Sequence, residues 1–172
     1  FNTYKGDLKF SDVVLDAKAK GFTEPDPRDD LSGLDVARKA LILSRDSGAK
    51  MELEEINVEN LVPENLRELD VKTFLERLPE VDAQYEQLKK DAEANGNVMR
   101  YMAVIEDGKV QIALKQVDTQ HPFYNLSGSD NMIVFTTARY KNNPLVIKGP
   151  GAGAEVTAAG VFAEIITIGN YM

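Results

Sequence analysis

Residues 17–39 read AKAKGFTEPDPRDDLSGLDVARK, and this stretch decides most of what the sequence predicts. Two prolines stiffen its middle, because each proline fixes its own φ and keeps the residue before it out of the α region. The residues before the prolines are Glu24 and Asp26, so their carboxylates are expected on an ordered, non-helical backbone. Such a segment is typical of a binding loop rather than of a linker.

A helix is predicted directly after this loop. Ser32 has the side chain of an N-cap, Asp35 follows three residues later, and Gly48 ends a helix at 34–47. Asp35 and Lys39 then lie one turn apart on one helix face, where such a pair is more often a solvated ion pair than an active site. The apolar residues cover a wide arc, which predicts burial on more than one side and places Lys39 at the edge of a buried helix.

The composition narrows the chemistry that the chain can perform. At 172 residues, the chain fits one domain with a core of ordinary size. The absence of cysteine excludes disulfides, thiolate catalysis and cysteine-based zinc sites, and the single histidine, His121, argues against a histidine-rich metal site or a Ser-His-Asp triad. No metal site is therefore expected, and acid–base chemistry has to rest on lysine or carboxylates.

Charge and hydropathy restrict the expected partners. A net charge of −8 argues against nonspecific binding of nucleic acid, which depends on Lys and Arg neutralising phosphates. The longest apolar runs, 132–135 and 158–163, fall well short of the roughly 20 residues that span a bilayer. No signal-peptide pattern opens the chain. We therefore expect neither nucleic acid nor membrane as a partner, and a cytoplasmic location.

The remaining sequence predicts helices, then strands, then a final helix. The predicted elements are a helix at 10–20 before Gly21, a strand at 52–59, helices within 63–95 broken at Pro79, strands at 98–105, 110–117, 132–140 and 145–148, and a helix at about 154–168. Asp107-Gly108 between two of the strands is the favoured hairpin signal. This order predicts an α+β fold in which helices cover one face of a mixed, largely antiparallel sheet, without an internal domain boundary.

The stretch from Ala17 to Lys39 resembles the signature of homoserine dehydrogenases. The family pattern begins with an alanine, three residues, a glycine, an aromatic or aliphatic residue and a small residue. It continues as Glu-Pro-Asp-Pro-x-x-Asp-Leu-x-Gly-x-Asp-x-x-x-Lys, and every fixed position is met here. A match of this length is far more specific than a lone glycine motif. A second similar block reads PLVIKGPGAG at 144–153 and VTAAGV at 156–161. The region between, with HPF at 121–123 and DNMIVF at 130–135, is most similar to the homoserine dehydrogenase part of enzymes fused to an aspartokinase.

The resemblance implies an activity and a catalytic pair. Homoserine dehydrogenases transfer hydride between NADP or NAD and the carbon that is an alcohol in L-homoserine and an aldehyde in L-aspartate 4-semialdehyde, a step toward threonine, methionine and isoleucine. Lys39 aligns with the catalytic lysine of the family, and Asp35 can hold its ammonium and the substrate hydroxyl in register. A lysine suits this proton transfer when its surroundings bring its pKa nearer to neutrality.

The resemblance also implies the substrate site. Glu24 and Asp30 align with positions that line the substrate pocket, and together with Asp35 they suit charge-assisted hydrogen bonds to the α-ammonium of homoserine. The alternative is that they are ordinary surface acids. We expect Asp26, Arg28 and Asp29 to be surface residues of this kind. Asp26 can cap its own turn.

The glycine-rich turn at 149–153 is the expected cofactor contact. By resemblance, Gly151, Ala152 and Gly153 lie against the nicotinamide side of the cleft, where backbone amides near a helix N-terminus favour close approach of a cofactor. An equally weighted alternative is a turn that needs glycine for its backbone angles. His121, next to a proline in a loop, is expected to be a turn residue without a catalytic role.

The chain lacks the dinucleotide-binding fingerprint G-x-G-x-x-G between a strand and a helix. The resemblance therefore implies a substrate-binding, catalytic and dimerisation domain, similar to the C-terminal domain of glyceraldehyde-3-phosphate dehydrogenase, that is inactive alone because NADP or NAD is bound mainly by a domain absent from this chain. A homodimer through the sheet is expected, and the full-length chain could also carry an aspartokinase. The alternative is a non-catalytic dimerisation or regulatory module that retains the fold.

Overall fold

The computed structural model describes residues 1–128, 130–151 and 153–171 and divides the chain into two compact units. The first unit contains Phe1 and Thr3–Asp118, and the second contains the residues from Thr119 onward together with Asn2. The composition changes at this division, because 42 of residues 1–118 are Asp, Glu, Lys or Arg but only 6 of residues 119–172 are.

The first unit combines helices with a small mixed sheet. Its elements are α1 Phe10–Ala19, α2 Pro27–Leu31, α3 Leu34–Asp46, a 3₁₀ helix Leu53–Glu55, β1 Asn57–Val58, α4 Glu64–Arg67, α5 Val71–Arg77, a 3₁₀ helix Leu78–Val81, α6 Asp82–Ala94, β2 Val98–Glu106 and β3 Lys109–Val117. The strand order is β1-β3-β2, with β1 parallel and β2 antiparallel to β3.

The second unit contains an antiparallel pair of strands and a helix. Its elements are β4 Asp130–Phe135, β5 Leu145–Pro150 and α7 Ala154–Asn170. The predicted α+β class with a mixed, largely antiparallel arrangement is confirmed, although the strands form two small sheets rather than one. In the part of the chain that the structure describes, no helix combines the length and the apolar character needed to cross a membrane.

The hairpin between β2 and β3 follows from its two turn residues. Glu106 pairs with Lys109, and the residues between them, Asp107 and Gly108, have φ values of 49° and 71°. A two-residue turn with positive φ at both positions matches the right-handed twist of the flanking strands. The hairpin predicted from the two alternating segments and this dipeptide is confirmed.

The predicted strand at 52–59 is largely wrong. Glu52 and Glu55 form a capping box, in which the backbone amide of Glu52 donates to the Glu55 carboxylate at 2.7 Å. This local pairing stabilises a helical turn at 53–55, so the paired strand begins only at Asn57. The predicted strand at 132–140 likewise ends early, at Phe135.

Two hydrophobic clusters support the first unit. One cluster joins buried side chains of α1, α4, α5, α6, β2 and the second 3₁₀ helix, and in it Phe10 stacks on Tyr85 with 3.9 Å between ring centroids. In the other, α3 packs against the sheet through residues that include Ala37, Ala40 and Ile112. The fully buried residues of α3 thus form one stripe, because 37, 40, 41 and 44 share a face.

The prediction that α3 is buried on more than one side is therefore wrong. Leu34 is 40% exposed and Ile42 is 60% exposed. Ile42 lies on the opposite side of the helix from the buried stripe, whereas Leu34 lies in the exposed first turn, in line with Ala37 and Leu41.

The junction between α2 and α3 depends on Gly33. This residue caps α3 with a φ of 77°, and a Cβ at this position would overlap the hydroxyl of Tyr101 and approach Val58 Cγ1 to 2.9 Å. Tyr101 Oη donates to the carbonyl of Glu59 at 2.7 Å, and burial is the main reason that the pKa of Tyr101 rises to about 12. Glycine is thus required both for its backbone angles and for its size.

Ser32 was predicted to cap α3, and this prediction is wrong. Ser32 remains in a helical conformation at the end of α2, whereas an N-cap usually has an extended backbone. Its hydroxyl donates to the carbonyl of Asp29 at 2.8 Å and accepts from the amide of Leu34 at 3.3 Å. The serine therefore links the two helices, and Gly33 makes the turn.

Substitution of Gly33 by alanine should lower the free energy of unfolding by about 3 kcal/mol or more, since a left-handed backbone costs roughly 1–2 kcal/mol and overpacking roughly 1–3 kcal/mol. Chemical denaturation measures this loss. Gly96→Ala is the matched control, because Gly96 has a φ of 69° but no atom within 4 Å of its Cβ position. Tyr101→Phe should partly rescue Gly33→Ala. Equal losses for both alanine variants would contradict the steric explanation.

Candidate functional site

The loop at 24–27 changes into a helix earlier than the sequence predicts. Asp26 has an extended backbone, as expected before a proline, and its carboxylate accepts from the amide of Arg28 at 3.0 Å. Pro27 is the buried first residue of α2, a position at which proline is favoured because no amide donor is lost. The predicted non-helical backbone therefore ends at Asp26, and the carboxylates of Asp29 and Asp30 are displayed on a helix.

Glu24 and Asp30 are brought together by this turn. The backbone amide of Glu24 donates to Asp30 Oδ2 at 2.9 Å, and both residues are exposed. The preceding residue contributes to the same turn, because the hydroxyl of Thr23 donates to the carbonyl of Glu24 at 2.9 Å. The backbone of Glu24 is thus tied to the carboxylate of Asp30, and we call these two exposed acids the acid pair. Their role as substrate ligands stays a prediction.

Asp35 and Lys39 form the ion pair that their spacing predicts. Lys39 Nζ lies 2.7 Å from Asp35 Oδ2, and the side chains are 66% and 64% exposed. The pair lies on the solvent side of α3, away from the buried stripe at Ala37 and Ala40. It presents an ammonium donor and a carboxylate acceptor next to each other on a rigid helix. This geometry suits proton exchange with a ligand hydroxyl, and the catalytic role stays a prediction.

The sequence does not reveal the contacts of Arg28. Its Nε donates to both carboxylate oxygens of Asp26 at 3.0 Å, and its Nη2 donates to Oδ2 at 2.6 Å. Nη1 donates to the carbonyl of Arg67 at 2.8 Å and also to the carbonyl of Leu69. The guanidinium carbon lies 5.1 Å from the ring centroid of Phe74, a cation–π distance. Arg28 therefore bridges the start of α2 and the chain around the end of α4.

The bridge changes the electrostatics of Asp26. The hydrogen bonds from Arg28 are the main reason that the pKa of the Asp26 carboxyl lies below its usual range. The side chains of Asp26 and Arg28 are only 25% and 16% exposed. Asp26 thus caps its own turn, as one of the alternatives from sequence stated, and it also neutralises a half-buried cation.

The glycine-rich turn lies in the second unit and is described by itself. Gly153 caps α7 with a φ of 124°, and its carbonyl accepts from the amide of Thr157 at 3.0 Å. A Cβ at Gly151 would overlap the side chain of Asn131. Both glycines therefore have structural reasons to be glycine, and their contact with a cofactor stays a prediction. Ala152, the third predicted cofactor contact, lies outside the described residues.

His121 behaves as a turn residue. Its Nδ1 accepts from the amide of Phe123 at 3.1 Å, and the two rings meet edge to face with centroids 5.2 Å apart. Within residues 1–128, 130–151 and 153–171, no three His, Asp or Glu side chains are arranged to share a metal ion.

A surface depression of about 410 Å³ occurs in the second unit. It is lined by Phe135, Thr137, Arg139, Tyr140 and Leu145. None of the candidate site residues lines this depression. The acid pair and the Asp35–Lys39 pair lie on the exposed surface of the first unit instead.

Comparison with known proteins points to one family. A family model described as homoserine dehydrogenase matches residues 1–166. A chloroplastic bifunctional aspartokinase/homoserine dehydrogenase of Arabidopsis thaliana is 49% identical over 100% of this chain and 19% of its own length. A homoserine dehydrogenase of Schizosaccharomyces pombe is 46% identical over 97% of this chain and 46% of its own length. The chain thus spans between a fifth and a half of these relatives.

Solved structures agree with this comparison. A crystal structure of a Candida auris protein of unknown function has a TM-score of 0.90 at 47% identity, covering 97% of this chain and 48% of the other. A homoserine dehydrogenase of Staphylococcus aureus has a TM-score of 0.72 at 20% identity, covering 99% of this chain and 39% of the other. The latter likeness supports the fold alone.

Asp26→Asn should lower the free energy of unfolding at pH 7 by about 1–2 kcal/mol, because the amide still caps α2 but loses the charge-assisted contact with Arg28. A lowered pKa in the folded protein gives stability that is present above the unfolded pKa and lost as pH falls through the folded pKa. The difference between wild type and variant should therefore persist at neutral pH and shrink below the usual value of 3.8. Urea titrations between pH 3 and pH 7 measure this difference.

Glu80→Gln is the control for this prediction, since Glu80 pairs with Arg77 on the exposed surface. Its effect should be smaller and should disappear at high salt, whereas the Asp26 effect should persist. A difference that does not change with pH would contradict the assignment to the Asp26 charge.

Proposed function

The chain belongs to the homoserine dehydrogenase family, and from this we propose that it supplies the substrate-binding and catalytic part of an enzyme that interconverts L-homoserine and L-aspartate 4-semialdehyde. The observation that carries the proposal is the arrangement of four motif residues on two consecutive helices and the loop before them. Glu24 and Asp30 form the exposed acid pair, and Asp35 and Lys39 form an ion pair one helix further on.

In the proposed reaction, Lys39 moves the proton. During reduction of the aldehyde, its ammonium donates a proton to the oxygen that becomes the hydroxyl, and during oxidation of homoserine, the neutral amine accepts that proton. Asp35, 2.7 Å from Nζ, orients the amine and compensates the charge of the ammonium that forms when Lys39 accepts the proton. When bound, the nicotinamide supplies or takes up the hydride.

The acid pair is the proposed site for the α-ammonium of the substrate. The Asp30 carboxylate has more acceptor sites than its bond to the Glu24 amide uses, so Asp30 can keep that bond while binding substrate, and Glu24 supplies a second carboxylate. The negative charge also favours the zwitterionic amino acid over an uncharged alcohol or aldehyde. This preference gives the site its proposed substrate class.

NADP or NAD is the proposed cofactor, bound mainly by the part of the full-length protein outside these residues. The length of the relatives supports this, since the chain matches only 46% of a monofunctional homoserine dehydrogenase. Gly153 fits a cofactor contact, because its Cβ position has no atom within 4 Å and leaves space for a flat ring to approach the backbone. Relatives with and without a fused aspartokinase match this chain.

A homodimer through the sheet of the second unit is also part of the proposal. Leu145, Val146 and Ile147 of β5 are 43%, 41% and 54% exposed, so the pair of strands leaves apolar surface uncovered. A non-catalytic dimerisation or regulatory module would share this surface. Activity of the full-length protein therefore separates the two functions. A cytoplasmic location stays a prediction, and the plant relatives are described as chloroplastic.

In the full-length enzyme, Lys39→Ala should lower kcat by roughly 100-fold or more with a smaller change in KM, because a positioned proton donor acts mainly in the transition state. Steady-state kinetics in both directions measure this. Lys72→Ala is the matched control, since Lys72 forms another exposed i,i+4 pair, with Glu76. If folded Lys39→Ala turned over homoserine at the wild-type rate, Asp35 and Lys39 would be an ordinary helix pair.

Glu24→Gln should act on binding instead. The amide keeps the shape and the hydrogen-bonding capacity of the side chain but removes the charge opposite the α-ammonium, so the KM for homoserine should rise about tenfold or more while cofactor affinity stays unchanged. Asp29→Asn is the control, because Asp29 is an exposed acid on α2 outside the acid pair. Equal effects of the two substitutions on the KM for homoserine would argue for a general surface-charge effect rather than a binding site.

A further inference from the structure

We propose that Arg28 is a positioning residue for the acid pair, and that it acts by holding the first turn of α2 against the chain around the end of α4. This inference rests on the proposed function, because it assigns a role in substrate binding to a residue that is not expected to touch substrate. It gives a specific role to the position after the second proline of the motif, at which the family pattern fixes no residue.

The first observation is the number and direction of the contacts of Arg28. On one side, the guanidinium contacts both carboxylate oxygens of Asp26, the N-cap of α2. On the other side, Nη1 donates to the carbonyls of Arg67 and Leu69. Carbonyls at the end of a helix lack partners within that helix, so Arg28 supplies donors that α4 and the following turn need. One planar cation thus links segments about 40 residues apart.

The second observation is the length of α2. Its five residues are too few to form a stable helix by themselves, so tertiary contacts have to hold it. The last residue, Leu31, is held at its carbonyl by the amide of Leu61 at 3.0 Å. Arg28 provides the corresponding contact at the first turn. Loss of Arg28 would leave α2 held mainly at one end.

The third observation connects Glu24, one member of the acid pair, to the first turn of α2, which Arg28 holds. Asp30 is on α2, and Glu24 precedes Pro25 and reaches back to Asp30 through its backbone amide. Pro25 and Pro27 limit rotation between Glu24 and the helix, so a displaced first turn carries Glu24 with it. The carbonyl of Pro25 also accepts from Lys18, a half-buried residue of α1, but this bond holds the loop before α2 rather than the first turn of α2. A shift near 1 Å at these carboxylates is enough to disturb binding.

Lysine cannot replace arginine in this role. An ammonium is a point charge, whereas the contacts to Asp26 and to two carbonyls on the opposite side need the planar fork of a guanidinium. Arg28→Lys should therefore resemble Arg28→Ala in its effect on substrate, although it keeps the positive charge and most of the apolar stem over Phe74.

The test uses the full-length enzyme with Arg28→Ala and Arg28→Lys. Both should raise the KM and the calorimetric Kd for homoserine about tenfold, change kcat less than about threefold, and leave the KM for NADP or NAD unchanged. Arg77→Ala is the control, because Arg77 on α5 pairs only with Glu80 among the contacts that the structure gives it, and should leave all constants unchanged. Melting temperatures measured without substrate identify losses of stability.

The outcomes separate a positioning role from a purely structural one. A lower melting temperature with an unchanged Kd for homoserine, measured well below that temperature, would overturn the proposal and leave Arg28 as a stabilising residue. If Arg28→Ala does not fold, Arg28→Lys gives the same comparison. If the wild-type enzyme turns over homoserine and neither variant changes its Kd, only this inference fails. A wild-type protein that neither binds nor turns over homoserine would overturn the proposed function together with this inference.

Discussion

The contact between Gly33 and Tyr101 is the constraint on which the candidate site depends. Because glycine has no Cβ, the tyrosine ring from β2 can lie directly beneath the turn between α2 and α3. The tyrosine hydroxyl donates a hydrogen bond to the carbonyl of Glu59. The amide of Glu59 in turn donates to the carbonyl of Ile112 in β3 at 2.8 Å. The start of α3 is thereby set relative to the sheet. This orientation buries Ala37 and Ala40 and leaves Asp35 and Lys39 in solvent.

The second support of the site has a different physical origin. Gly33 works through close packing, whereas Arg28 works through hydrogen bonds made by a half-buried charge. Bonds of this kind contribute more than neutral ones, about 1.5–3 kcal/mol each, but only when the charge is compensated. Asp26 provides that compensation. The counter-ion of Arg28 is therefore Asp26, which stands two residues before it in the same motif.

The features that the sequence predicts well depend on residues that are close together in the chain. The i,i+4 separation of Asp35 and Lys39 and the dipeptide Asp107-Gly108 each determine their geometry within a few residues. Other features were predicted wrongly or not at all, either because a local interaction competes with the predicted element or because the contacting groups are far apart in the sequence. Glu52 and Glu55 favour a capping box over the strand that the alternating pattern predicts. The carbonyls that Arg28 contacts lie 39 and 41 residues away, and no pattern in the motif indicates them.

The acids of one short motif thus differ in what the fold requires of them. Asp26 is needed by the fold, since it caps α2 and neutralises Arg28 with little exposure to solvent. The Asp35–Lys39 pair is held in water, where a pair of this spacing adds little to stability. The acid pair makes one local bond through a backbone amide. Folding therefore explains Asp26 but does not explain why acids stand at 24 and 35 with a lysine at 39, and the proposed binding of a zwitterionic substrate and transfer of its proton would account for these residues.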